Sequence, residues 1–225
     1  MSGPNRSFHD YDVSKRGPSY NAFIGHSDPT FALTVRLDVT GLFSWCKTNK
    51  RSFFTEFLYL VSKVANSIEN FRVRFVDGRP VVYDTVDPGY IVFRDDDTIA
   101  TCRTEYTEDR EVFYREVRGT VERLKDLDNP GGFNDDIDDN AVLFTSCLPW
   151  TDFLSVKNPY DLKDMDSCSI PRMVWGKVVD EGGRLRMTMD VAAHHSLMDG
   201  YHLSLFYNRL QEELDGFIGN IVEDA

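Results

Sequence analysis

The chain has 225 residues, enough to bury a substantial core in one large domain or two small ones. Hydrophobic residues make up 41% and charged residues 28%, which excludes disorder and suits a soluble globular protein. A formal net charge of −12 excludes a broad grip on nucleic acid, which needs a basic surface, and any anionic partner must be held by local Lys or Arg against the global field.

The N-terminal stretch MSGPNRSFHDYDVSKRG has no apolar signal region, and no apolar run reaches the length of a membrane span, so a cytoplasmic protein is expected. TFALTVRLDV alternates, with Phe31, Leu33, Val35, Leu37 and Val39 on one face, which predicts a half-buried strand. SFFTEFLYLVSKVANSIENF changes to a helical period: Phe54, Phe57, Leu58, Val61, Val64, Ala65 and Ile68 form a stripe behind a Ser52 cap. RVRFVDGRPVVY predicts a hairpin turning at Asp77-Gly78. YIVFR and TIATCRTEY read as strands separated by an Asp95-Asp96-Asp97 turn, and residues 108–125 as a helix with Val112, Phe113, Val117, Val121 and Leu124 inward.

DLDNPGGFNDDIDDN is a loop whose acids lack the alternating ligands and following Gly of a calcium-binding loop. AVLFTS is a buried strand running into Leu148-Pro149-Trp150. PRMVWGKVVDEGGRLRMTMDVAAHH is a long hairpin around Asp180-Glu181-Gly182-Gly183, followed by a last helix with Leu203, Phe206, Leu210 and Leu214 on one face. Cys46, Cys102, Cys147 and Cys168 are scattered without metal spacing and are expected as free thiols. The expected fold is a single two-layer α/β domain over residues 1–225, a mixed, mostly antiparallel sheet packed with helices.

Three of the five histidines fall within HHSLMDGYH, residues 194–202. If strand conformation persists that far, His194 and His195 point to opposite faces, one into packing and the other into a cleft. His194, His195 and His202 lack the i, i+4 spacing that sets two zinc ligands on one helical face, although Asp199 or a remote acid could complete a metal site. General-base chemistry is the other reading, because an unperturbed imidazole titrates at about 6.5 and can take a proton and return it near neutrality. A buried Asp199 then needs a basic partner.

HHSLMDGYH resembles the HHxxxDGxH signature of the chloramphenicol acetyltransferases. The resemblance extends collinearly through FRVRFVDGRPVVYDTVDPGYIVF, SCLPW and PRMVWGK, and so covers nearly the whole chain. It implies a chloramphenicol acetyltransferase-like fold and an O-acetyltransferase that uses acetyl-coenzyme A as co-substrate, without metal, on chloramphenicol or a related small hydroxylated acceptor. It implies His195 as the general base, Ser146 as donor to the tetrahedral oxyanion, and a structural Asp199–Arg16 pair. Phe23, Phe31, Val156 and Val174 fall at acceptor-binding positions and Lys177 at a coenzyme-binding one. It further implies a homotrimer with sites at subunit interfaces and an antibiotic-resistance type of enzyme.

Several positions depart from that pattern. Val174 stands where the family has a strand threonine, and the usual Trp before Arg16 is missing. The paired aromatics after it reduce to Ala22 and Phe23, Val156-Lys157-Asn158 replaces F-x-L, and Val178 replaces a Tyr. The altered acceptor positions leave open a non-catalytic small-molecule binding protein descended from the same fold.

Overall fold

The computed structural model describes residues 6–94, 96–125 and 140–223. Among the described residues nine strands form two sheets. The larger has six strands: β2 (Thr30–Asp38), β9 (Arg184–His194), β8 (Arg172–Glu181), β7 (Val142–Cys147), β5 (Asp87–Phe93) and β6 (Ile99–Arg103), in that spatial order. The β2/β9, β9/β8 and β5/β6 pairs are antiparallel, while β8/β7 and β7/β5 are parallel, so the sheet is mixed as expected. The smaller sheet joins β1 (Phe8–Asp10), β4 (Arg79–Tyr83) and β3 (Val73–Val76), all antiparallel. The β3/β4 hairpin therefore forms a sheet of its own, because it pairs with an N-terminal strand too short to carry a periodic signal.

Helices α2 (Thr40–Thr48), α3 (Phe53–Asn66) and α6 (Gly200–Glu223) cover one face of the large sheet, and α4 (Arg110–Lys125) packs outside α3. Leu37, Trp175, Met187, Met189 and Val191 from the strands meet Phe57, Val61, Leu203, Phe206 and Leu210 in one core. Phe113 and Val117 of α4 join it, whereas Val112 is only half-buried and lies outside the cluster, off the inward stripe. Phe31, Leu33 and Val35 are half-buried because β2 is the edge strand. Ser52 caps α3 by accepting from the Thr55 amide, and the Asp77-Gly78 turn has positive φ at both positions (50° and 70°), as a tight hairpin turn demands.

Two short helices carry no strong periodicity: α1 (Pro18–Phe23), which starts on a proline after Gly17, and the four-residue α5 (Met165–Cys168). Asp95 and all of the 126–140 loop except Asn140 lie outside the described residues.

The face opposite the helices positions the site. On it Thr34, Asp190, Val174 and Ser146 stand side by side across β2, β9, β8 and β7. The small sheet caps the large one where β9 ends, with Phe75 meeting His194 edge-on at 5.3 Å.

Candidate active site

β9 delivers its two histidines to different surroundings, as strand alternation requires. His194 is 2% exposed and its Nδ1 accepts from the Ser196 amide at 3.3 Å. Burial, with a smaller contribution from His195, pushes its pKa down to about 4, so it is a neutral packing residue at pH 7. His195 is half-buried, and its amide makes a last ladder-like bond to the Pro29 carbonyl at 2.8 Å. Its ring stacks on Phe23, with centroids 3.8 Å apart, and leans on Phe31 at 4.4 Å. Nδ1 of His195 is buried with no hydrogen-bond partner among the described residues. Aromatic contact therefore orients this imidazole.

The turn behind the histidines is held by Arg16, which a 3₁₀ turn at Val13–Arg16 brings in from the N-terminal segment. Its guanidinium donates through Nη1 to Asp199 at 2.8 Å, through Nε to the Ser196 carbonyl at 3.0 Å and through Nη2 to the His195 carbonyl at 3.1 Å. Arg16 thus grips the backbone of the residue whose side chain matters. The Arg16 side chain is 4% exposed but that of Asp199 is 32% exposed, so the carboxylate expected to be buried lies at the edge of the protein. Only its Oδ2 need face the buried arginine; Oδ1 caps the start of α6, where the Tyr201 amide donates to it.

Burial alone would raise the Asp199 carboxyl. The Arg16 hydrogen bond and the nearby His202 outweigh it and hold the group down at about 2. An ionised carboxylate can only accept, so His202 donates through Nδ1 at 2.8 Å. The third histidine is a partner of the aspartate. Among the described residues no group of three or more His, Cys, Asp or Glu side chains could hold a metal ion.

Ser146, Val156 and Val174 lie elsewhere, lining a cleft of about 680 Å³ together with Asn158 and Arg172. Ser146 is in register with Val174, and Val174 with Asp190, five residues (190 to 195) back along β9 from His195. With strand rises near 3.3 Å and two strand spacings near 4.8 Å, the histidine and the serine are roughly 20 Å apart in one chain. The candidate site therefore comes as two separated halves. Lys177 is exposed, three residues beyond Val174 at an irregularity in the β8/β9 pairing, where its amide donates to the Thr151 carbonyl at 2.9 Å.

Residues 6–211 match the family model described as chloramphenicol acetyltransferase. The chain belongs to the chloramphenicol acetyltransferase family. It is accordingly an acyltransferase. It is 29% identical over 217 residues to a chloramphenicol acetyltransferase of Escherichia coli, covering 92% of this chain and 94% of that one. It is 26% identical over 206 residues to that of Clostridium perfringens, covering 90% and 92%. Among solved structures, a chloramphenicol acetyltransferase superposes with a TM-score of 0.85 at 28% identity, over 92% of this chain and all of that one. The dihydrolipoamide acetyltransferase of Azotobacter vinelandii, at 12% identity and a TM-score of 0.60, shares the fold.

The sequence reading passed over Arg172. It sits two residues before Val174, and strand alternation puts both on the same face, so the signal was present in the motif itself.

Proposed function

We propose that this family member transfers an acetyl group from acetyl-coenzyme A to a hydroxyl of chloramphenicol or a related small hydroxylated acceptor, through a ternary complex. The His195 imidazole takes the proton of the acceptor hydroxyl, and the oxygen attacks the thioester carbonyl. Ser146 donates to the oxyanion of the tetrahedral intermediate. The intermediate collapses to the acetyl ester, and the coenzyme thiolate leaves and recovers the proton from the imidazolium. No acyl-enzyme forms. Phe23 and Phe31 hold the ring of the base, Arg16, itself anchored by Asp199, holds its backbone, and Val156 and Val174 contact the acceptor. Lys177 supplies positive charge for the anionic coenzyme on a chain of net charge −12.

The observation that carries this reading is the separation of a preorganised histidine from a serine-lined cleft. The two halves complement each other when the His195 end of one copy faces the Ser146 cleft of the next, which is the arrangement of a homotrimer with interface sites. The four free cysteines and the absence of a membrane-length apolar helix among the described residues fit a cytoplasmic enzyme.

Thiol release from acetyl-coenzyme A, assayed over a panel of hydroxylated antibiotics, tests the reaction. His195→Ala is expected to lower turnover by on the order of 10²–10⁴-fold while the fold persists. Near-normal turnover by a folded variant would contradict the assignment, and binding of acceptors without thiol release by the unaltered protein would favour the non-catalytic binding protein.

A further inference from the structure

The cleft has a charge composition at odds with the molecule that contains it. The chain as a whole carries 37 acids against 25 Lys and Arg. The residues that line the cleft include Lys157 and Arg172 but no aspartate or glutamate among those described.

Neither cation is held in a close ion pair among the described residues. Lys157 has an 89% exposed side chain and reaches Asp28 only at 3.9 Å, with the carboxylate itself 41% exposed. An exposed pair at that distance contributes little and is readily exchanged. Arg172 is half-buried and meets no carboxylate among the described residues. Its Nη1 donates to the Pro159 carbonyl, and its Cζ lies 4.1 Å from the Tyr160 ring centroid and 5.5 Å from that of Phe144, which also lines the cleft. The Tyr160 ring and the Pro159 carbonyl thus hold the guanidinium in place. Asn158 lines the same cleft. The described lining of the cleft therefore carries two cations and an amide but no carboxylate.

A planar guanidinium with donors to spare matches the two oxygens of a carboxylate. A volume of about 680 Å³ admits a drug-sized molecule with such a group at one end.

We propose that the acceptor of this enzyme is a small hydroxylated molecule bearing a carboxylate, bound by Arg172 with help from Lys157 and Asn158. The proposal rests on the acyltransferase reading of the cleft above and specifies its acceptor. Selection follows from the surroundings: a carboxylate entering a cleft whose described lining holds no acid is attracted by both cations, whereas a neutral isostere leaves the guanidinium without a counter-charge.

The test uses the purified full chain and a matched pair of probes, 4-(2-hydroxyethyl)benzoate and its methyl ester. Binding is measured by calorimetry and acetyl transfer by thiol release from acetyl-coenzyme A. The carboxylate should bind on the order of tenfold more tightly than the ester, with the preference shrinking as salt is added. Arg172→Met should bring the ratio towards one, and Arg172→Lys should retain part of it. Lys157→Met, at an exposed position that a folding defect would not reach, should lower the ratio by a few-fold.

A separate KM for acetyl-coenzyme A distinguishes acceptor from coenzyme. If Arg172→Met raises that KM and leaves the acceptor ratio alone, the cations serve the coenzyme phosphates and the proposal is wrong. Equal binding of the two probes, or tighter binding of the ester, would also overturn it. Arg172-dependent preference for the carboxylate without acetyl transfer would uphold the recognition chemistry and remove the acyltransferase reading instead.

Discussion

Val174 shows how one atom group separates chemistry from selectivity. It lines the cleft beside Ser146 and is isosteric with threonine but can neither donate nor accept. A single neutral hydrogen bond contributes about 0.5–1.5 kcal/mol, so Val174→Thr should raise kcat/KM for chloramphenicol a few-fold to roughly tenfold. Steady-state assays of both proteins check this, and an unaltered protein already as fast as the variant would show that the valine does not limit the acceptor. Asp199 has a different signature. Its folded pKa of about 2 lies below the ordinary 3.8, so the stability it contributes is complete above about pH 4 and is lost as pH falls towards 2. Asp199→Asn leaves the buried Arg16 without a counter-charge and should cost about 1.5–3 kcal/mol at pH 7, less than a fully buried pair would, because the carboxylate is partly exposed. Urea denaturation of both proteins from pH 7 to pH 2 should show the gap closing in acid; a gap independent of pH would contradict the pairing.

At the scale of the element, the long hairpin does most to place the site, and most of it was legible. Period-two alternation, two glycines at the turn and a histidine pair at the strand end identified β8, β9 and the exit of His195 from the ladder. What alternation cannot reveal is the irregularity between Trp175 and Val178. Gly176 sits there, and a Cβ on it would lie 3.0 Å from the Thr151 carbonyl oxygen and 3.1 Å from the Phe153 ring. The strand at this point is crossed by the 151–153 segment, which needs the bare glycine. Gly176→Ala should therefore destabilise by about 1–3 kcal/mol through overpacking, read as a lower urea midpoint; an unchanged midpoint would mean the segment moves aside freely. The missed α2 has a related lesson. TGLFSWCKT is short and starts where the strand pattern of β2 ends, and its start is set by Asp38, which accepts from the Thr40 amide and hydroxyl at 3.0 and 2.6 Å. Asp38 is at once the last residue of β2 and the acceptor that closes this turn, and alternation along the chain shows only the first role.

For the whole molecule, it is the motif resemblance that singles out His195, Ser146, Asp199 and Arg16 for the roles proposed above, because each falls at a position that the spacing of residue types marks. Their distribution in space was not legible, since spacing along the chain says nothing about register across three strands. That register puts His195 roughly 20 Å from Ser146, and the proposed reaction needs both within reach of one thioester carbonyl. The proposed mechanism therefore has copies of the chain share sites, and this is the claim on which it depends. The most direct test is complementation between two crippled variants, His195→Ala and Ser146→Ala, co-expressed in equal amounts and purified together as hybrid oligomers. Each alone should be nearly inactive, the second by on the order of 10²–10³-fold. If every site takes its histidine from one copy and its serine from the next, random mixing leaves about a quarter of the sites with both groups intact, and about a quarter of wild-type thiol release returns. Hybrids no more active than their parents would place both residues of each site in a single chain and contradict the account.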